Sequence, residues 1–119
     1  MKIVYCEPGK RAEIREVSKD FRTISSLVGG GCINTAYPFR EYGITLVCND
    51  DFFGLEPNRN LPKADNYERD FVFCGPFFIC GTERDEDGAP EFGSLNEEQA
   101  ERYRKMLDLP CDFRNRRCV

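Results

Sequence analysis

The sequence predicts an α+β domain: a small, mostly antiparallel sheet of four to six short strands packed against two helices. Three observations carry this. Short runs rich in Val, Ile, Phe, Tyr and Leu recur along the chain, each bounded by Gly, Pro or polar clusters, as strands are. Only two segments place apolar residues at helical spacing. The order of these elements suits an α+β arrangement. A length of 119 residues fits one domain with one core, here residues 1–110, followed by a polar, basic tail over 111–119.

The first element is a hairpin. In KIVYCEPGKRAEIREV, Ile3 and Tyr5 alternate with Val4 and Cys6, and Ile14 and Val17 follow a Pro8-Gly9 turn. SKDFRTISSLVGGG then reads as a short helix capped by Ser18, with Phe21, Ile24, Leu27 and Val28 on one face. Gly29, Gly30 and Gly31 end it. They follow a helix rather than open one, so they do not make a phosphate cradle, which needs a helix N-terminus. CINTAYPF and GITLVCN are two strands joined through REY. DFVFCGPFFICG is an apolar run broken at Gly75-Pro76. It reads either as an edge strand with a bulge or as two strands meeting at a turn, because Pro76 cannot donate to a ladder. RDEDGAPEFG reads as a polar loop. In SLNEEQAERYRKMLDLP, Ser94 and Glu97 have capping-box spacing. Leu95, Ala100, Tyr103 and Leu107 form the buried face, Met106 lies beside it, and Pro110 stops the helix.

Charge and cysteine usage bound the function. Formal net charge is −4, which argues against general nucleic-acid binding. The charge is uneven. Glu83 to Glu101 holds eight acids and one base, Arg84, whereas Arg102 to Val119 holds six bases and two acids. Acids at a helix start and bases at its end suit the macrodipole. The alternative is a charge-steered partner site. Seven cysteines are present, an odd number, and the opening MKIVYCEPGK has no long apolar run. No signal peptide, membrane span or membrane association is therefore expected, and the simplest compartment is the cytoplasm with reduced thiols. Cys6, Cys48, Cys74 and Cys80 lie in apolar runs, as small hydrophobes do. Cys111 and Cys118 stand in the polar tail.

Much catalytic chemistry lacks its residues. There is no histidine, which removes the commonest near-neutral base and metal ligand and all Ser-His or Cys-His nucleophiles. No Cys-x-x-Cys occurs, so neither a zinc knuckle nor a thioredoxin-like pair is expected. Asp50 and Asp51 would point to opposite faces of a strand. Asp85-Glu86-Asp87-Gly88 lacks the ligand alternation and closing glutamate of a calcium loop. The expectation is a non-enzyme without metal or cofactor.

The segment NDDFFGLEPNRNLP, residues 49–62, concentrates the residues that bind things. Arg59 suits a phosphate or carboxylate, Asn58 and Asn60 suit polar edges, and Phe52 and Phe53 suit stacking. Arg59, Phe52, Phe53 and Tyr67 also suit a protein interface. The same residues read equally as scaffold, with the phenylalanines in the core, the asparagines forming turns and Arg59 bonding to loop carbonyls.

Seven stretches occur in order: MKIVYCEPGK, LVGG at 27–30, YPF at 37–39, LVCN at 46–49, GLEPNRNL at 54–61, FFICG at 77–81 and SLNEEQAERY at 94–103. Together they resemble the domain-of-unknown-function family 3846, short proteins of phages and mobile elements of Gram-positive gut bacteria. Two details depart from that pattern. LVGG is followed by Gly31 and Cys32, and DDFFG is shorter than the expected acidic hairpin tip. The family has no agreed activity, so the resemblance transfers no catalytic residue. Its setting implies a binder of a host or defence-system protein, such as a counter-defence inhibitor. Two other functions remain open. One is sequestration of a signalling nucleotide through Arg59, Asn58 and Asn60. The other is a DNA mimic, in which the acids between Glu83 and Glu101 stand in for phosphates and binding weakens steeply with salt.

Overall fold

The computed structural model describes residues 1–39, 41–51, 54–61 and 71–108, with the backbone alone at 60, 71 and 72. Eight strands and two helices follow in the order β1 (Lys2–Cys6), β2 (Glu13–Glu16), α1 (Phe21–Leu27), β3 (Ile33–Ala36), β4 (Ile44–Asn49), β5 (Pro57–Leu61), β6 (Phe71–Cys74), β7 (Phe77–Arg84), β8 (Pro90–Gly93) and α2 (Glu97–Leu107). The fold is α+β, and every strand pairing is antiparallel. Six strands form one sheet in the order β2-β1-β7-β4-β3, with β8 also paired to β7, and β5 and β6 form a separate ribbon.

β7 is the hub because its sequence is apolar on both sides. Phe77, Phe78, Ile79 and Cys80 are all fully buried, the pattern of a strand covered on two faces. Phe77 and Ile79 join Val4, Leu46, Ala100, Tyr103 and Leu107 in the core beneath α2. Phe78 and Cys80 join Ile3, Tyr5, Val47, Ile24 and Val28 beneath α1. The sheet is therefore sandwiched between the two helices. The β5–β6 ribbon adds Leu61 and Phe73 to the α2-side core.

The caps differ from the sequence expectation in both helices. Asp20, not Ser18, caps α1 and accepts from the Thr23 N–H. Ser18 instead bonds to the Asp20 carboxylate. Asn96 and Gln99, not Ser94 and Glu97, form the capping box of α2. Ser94 is drawn off to β1, where its hydroxyl accepts the Lys2 N–H at 2.9 Å. In each case the side chain nearer the first helical turn wins, since only it reaches the free N–H groups. Phe21 is also not on the buried face of α1 but 64% exposed.

The run at Gly75-Pro76 resolves into two strands, β6 and β7, in different sheets. Gly75 turns between them with φ +79°, and a Cβ there would lie 2.7 Å from the Leu55 side chain. Two further strands replace expected loops. Residues 90–93 form β8, and PNRNL forms β5. Cys74 is disulfide-bonded, whereas Cys6, Cys32, Cys48 and Cys80 are free. Cys74 thus departs from the expectation of reduced thiols: its apolar run accounts for its burial but does not fix its oxidation state. The tail 111–119, with Cys111, Cys118 and the expected stop at Pro110, lies outside the described residues.

Candidate functional site

In β5 the side chains of Asn58 and Arg59 are 1% and 0% exposed. The Asn58 amide donates to the carbonyls of Cys6 at 3.0 Å and Gly75 at 2.8 Å. Arg59 Nε donates to the Leu107 carbonyl at 2.6 Å, at the C-terminal end of α2 where carbonyls lack helical partners. Its Nη1 donates to the Glu7 carbonyl and to Asn58 Oδ1, and its Nη2 to the Lys10 carbonyl. The guanidinium thus ties β5 to the β1–β2 turn and to the end of α2. Burial holds its pKa below the usual arginine value. These bonds turn both side chains toward carbonyls of the domain's own backbone. Asn60 pairs its backbone with Val72 in the ribbon. Its side chain, Phe52, Phe53 and Tyr67 lie outside the described residues.

The last residue of β4 also faces inward and closes a turn. The Asn49 amide donates to the carbonyls of Val28 and Gly30 at 2.9 and 2.8 Å, and its Oδ1 accepts the Asp51 N–H. The N–H groups of Gly29 and Gly30 are spent on Ser26 and Ser25 carbonyls, so this loop closes α1. A shallow hollow beside it is lined by Cys32, Asn49, Asp50, Asp51 and Leu55 among others. Among the described residues, no group of three or more His, Cys, Asp or Glu is placed to hold a metal ion. No helix among them is long and apolar enough to cross a membrane.

A different place has the composition of a binding site. A cavity of about 440 Å³ lies at one end of the sheet, lined by Tyr37, Glu41, Tyr42, Gly43, Ile44, Thr82 and Arg84. It forms where β7 runs on past the start of β4. The last β4–β7 register pair is Ile44 with Gly81, while β7 continues to Arg84 along β8. Tyr37, Glu41, Tyr42 and Gly43 of the β3–β4 connection line the gap. Tyr37 is 51% exposed and Tyr42 93%, a large apolar area left in water. The floor is fixed by a 2.7 Å hydrogen bond between the hydroxyls of Thr45 and Thr82.

The connection itself is pinned to α2. Glu41 accepts from Arg102 at 3.0 Å and from the Tyr103 hydroxyl at 2.6 Å. The Arg102 hydrogen bond, with that from Tyr103, holds the Glu41 carboxyl below the usual carboxylate range. The Phe39 ring packs on Tyr103 with centroids 4.9 Å apart. Arg84 stands among acids yet makes no ion pair among the described residues; Nη1 donates to the Gly88 carbonyl at 2.7 Å.

The cavity opens to solvent, with two exposed phenol rings at its rim and one guanidinium. From sequence, Tyr37 and Phe39 fall in the strand CINTAYPF with REY as the connector; β3 ends instead at Ala36, so three aromatics lie between the two strands.

The profile of the family described as "Domain of unknown function (DUF3846)" matches residues 1–108. The chain belongs to the DUF3846 family. No curated protein and no solved structure matches it. The family region covers every described residue, so in this DUF3846 chain the Arg59 clasp and the Tyr37–Tyr42 cavity both lie within the shared domain.

Proposed function

We propose that this DUF3846 chain is a non-enzymatic binding protein that takes a protein partner at the sheet end around Tyr37, Tyr42 and Arg84. The observation that carries this is the exposure of both tyrosines in one cavity with an arginine free of carboxylate partners among the described residues. Tyr and Arg are the residues on which protein interfaces concentrate their energy. The partner class that fits the family's setting is a host or defence-system protein of the bacterium in which the chain works, which would make it a counter-defence or host-modulating inhibitor. Nucleotide sequestration has less support, because the Arg59 and Asn58 on which it rested are turned inward. The DNA-mimic reading has less support too. Glu83 and Glu91 pair with Lys19, Glu97 with Lys2, and Glu101 with Arg104, which breaks up the acidic row.

The test is affinity purification from a bacterial host with the wild-type chain and with Tyr37→Ala/Tyr42→Ala. A stoichiometric host protein held by the first and lost by the second is the expected outcome. If the wild type recovers none, or the double variant retains it undiminished, this function is wrong.

A further inference from the structure

We propose that the open edge of β7 at Arg84 receives an extended, acidic peptide segment as an added strand, with Tyr37 and Tyr42 flanking it. This rests on the binding function just given and specifies how the partner engages.

The hydrogen-bond pattern around β7 fixes which edge is open. In an antiparallel ladder, successive residues point their N–H and C=O groups to alternate sides. The Thr82 N–H donates to the Gly43 carbonyl, on the β4 side, at 2.8 Å. The Asp85 N–H donates to the Ala89 carbonyl, on the β8 side, at 2.9 Å. Arg84, two residues after Thr82, therefore turns its N–H and C=O toward the β4 side. There β4 has already ended, and the cavity takes its place. On that side the β4–β7 register has ended, and among the described residues no turn or loop backbone group bonds to Arg84. One N–H and one C=O on the same residue are what an incoming strand needs for a hydrogen-bonded pair.

The outer edges at β2 and β3 are defended in part. β2 presents Glu13, Arg15 and Glu16, charges that discourage pairing. On β3 the Cys32 carbonyl accepts from Asp50, on the β4 side. Alternation then points the Thr35 N–H outward, and the Asn34 side chain covers it at 2.9 Å. Arg84 has no such cover.

Charge complementarity selects the occupant. Three acids near Arg84 are committed elsewhere, while Glu86 and Asp87 stand exposed in the turn beyond it. Glu41 is held by Arg102 and Tyr103. Asp85 accepts the N–H groups of Asp87 and Ala89 in the hairpin turn. Glu83 pairs with Lys19. The guanidinium is thus the one uncompensated charge among the cavity residues, and it suits a carboxylate on the incoming strand. The phenol rings suit apolar side chains on either side of that carboxylate.

Substitution at one position separates backbone from side chain. Arg84→Ala removes the charge and keeps the N–H. Arg84→Pro removes both, and Glu83 before it is already extended, as a residue preceding proline must be. Among the described residues no loop or turn carbonyl accepts this N–H, so both variants should retain wild-type amide spectra outside the cavity. A random dodecapeptide display library selected on the full-length chain is expected to yield binders with Asp or Glu between apolar residues at alternate positions. The best such peptide should lose about tenfold in affinity to Arg84→Ala and a further tenfold or more to Arg84→Pro. N-methylation of the peptide residue facing Arg84 should match the additional loss of Arg84→Pro over Arg84→Ala. Strand addition is overturned if Arg84→Pro binds no more weakly than Arg84→Ala, if N-methylation is neutral, or if no acidic extended peptide is enriched. Strand addition alone fails if the affinity-purified partner is lost by Tyr37→Ala/Tyr42→Ala but held equally by both Arg84 variants. If neither the tyrosine nor the arginine changes matter, the binding site itself is wrong.

Discussion

Arg59 shows how a residue typical of binding sites becomes structural. A buried guanidinium is tolerable only when its donors are met, and here they meet the carbonyls of Leu107, Glu7 and Lys10 and the Asn58 side chain. Arg59→Ala strands those carbonyls in the interior, and we expect a loss of about 3–5 kcal/mol in urea denaturation. Arg59→Lys should recover little of it, because an ammonium cannot reproduce the planar fork. The sequence shows Arg59 and its asparagines plainly but not which way they point, since a clasp and a ligand site need the same donors. Cysteine accessibility is set at the same scale. Burial pushes the thiols of Cys6, Cys48 and Cys80 up to about 12, so they stay protonated and inert near neutrality. Cys32 is free and exposed. Brief alkylation of the native protein followed by peptide mapping should mark Cys32 and spare the other three, which react only after unfolding.

Among the elements, the β3–β4 connection couples the cavity to α2. The Tyr103 hydroxyl holds Glu41, and its ring holds Phe39. Tyr103→Phe keeps the ring contact and removes the hydrogen bond. The expected cost is about 1–2 kcal/mol of stability, together with weaker partner binding in a titration, because the connection that carries Tyr37 and Tyr42 loses an anchor. The strands most legible from sequence are those whose burial follows their apolar pattern, β1, β4 and β7. β5 was not legible as a strand. PNRNL carries turn formers, and its inward positions are filled by Asn58 and Arg59 rather than by apolar groups. β8 was missed because PEFG is short, largely exposed and begins with proline, which an edge strand accepts at its first position. The cavity belongs to no single element: it arises from the different lengths of β4 and β7, which depend on pairing rather than on composition.

At the scale of the whole molecule, stability should respond to acid in a defined window. Hydrogen bonds from Ser18 and Thr23 lower the Asp20 pKa to about 2. Hydrogen bonds from Arg11 lower that of Asp108 and from Lys19 that of Glu83. A carboxyl whose folded pKa lies below its unfolded value near ~4 stabilises the fold above that value and loses the contribution as pH falls through the folded one. The urea midpoint should therefore be flat down to about pH 5 and fall between about pH 4 and pH 2. Asp20→Asn, which preserves a cap but cannot titrate, should shrink that fall. The sheet order follows from the same global pairing: β1 meets β7, and β3 and β4 lie between them in the chain. Arg59 spans farther still, joining residues 7 and 10 to residue 107. A contact that gathers both ends of the domain cannot close until the sheet has brought them near, so it belongs to the last steps of folding. The clasp is then a lock on the exit rather than a guide on the way in: Arg59→Ala should multiply the unfolding rate in a chevron measurement and leave the refolding rate almost unchanged.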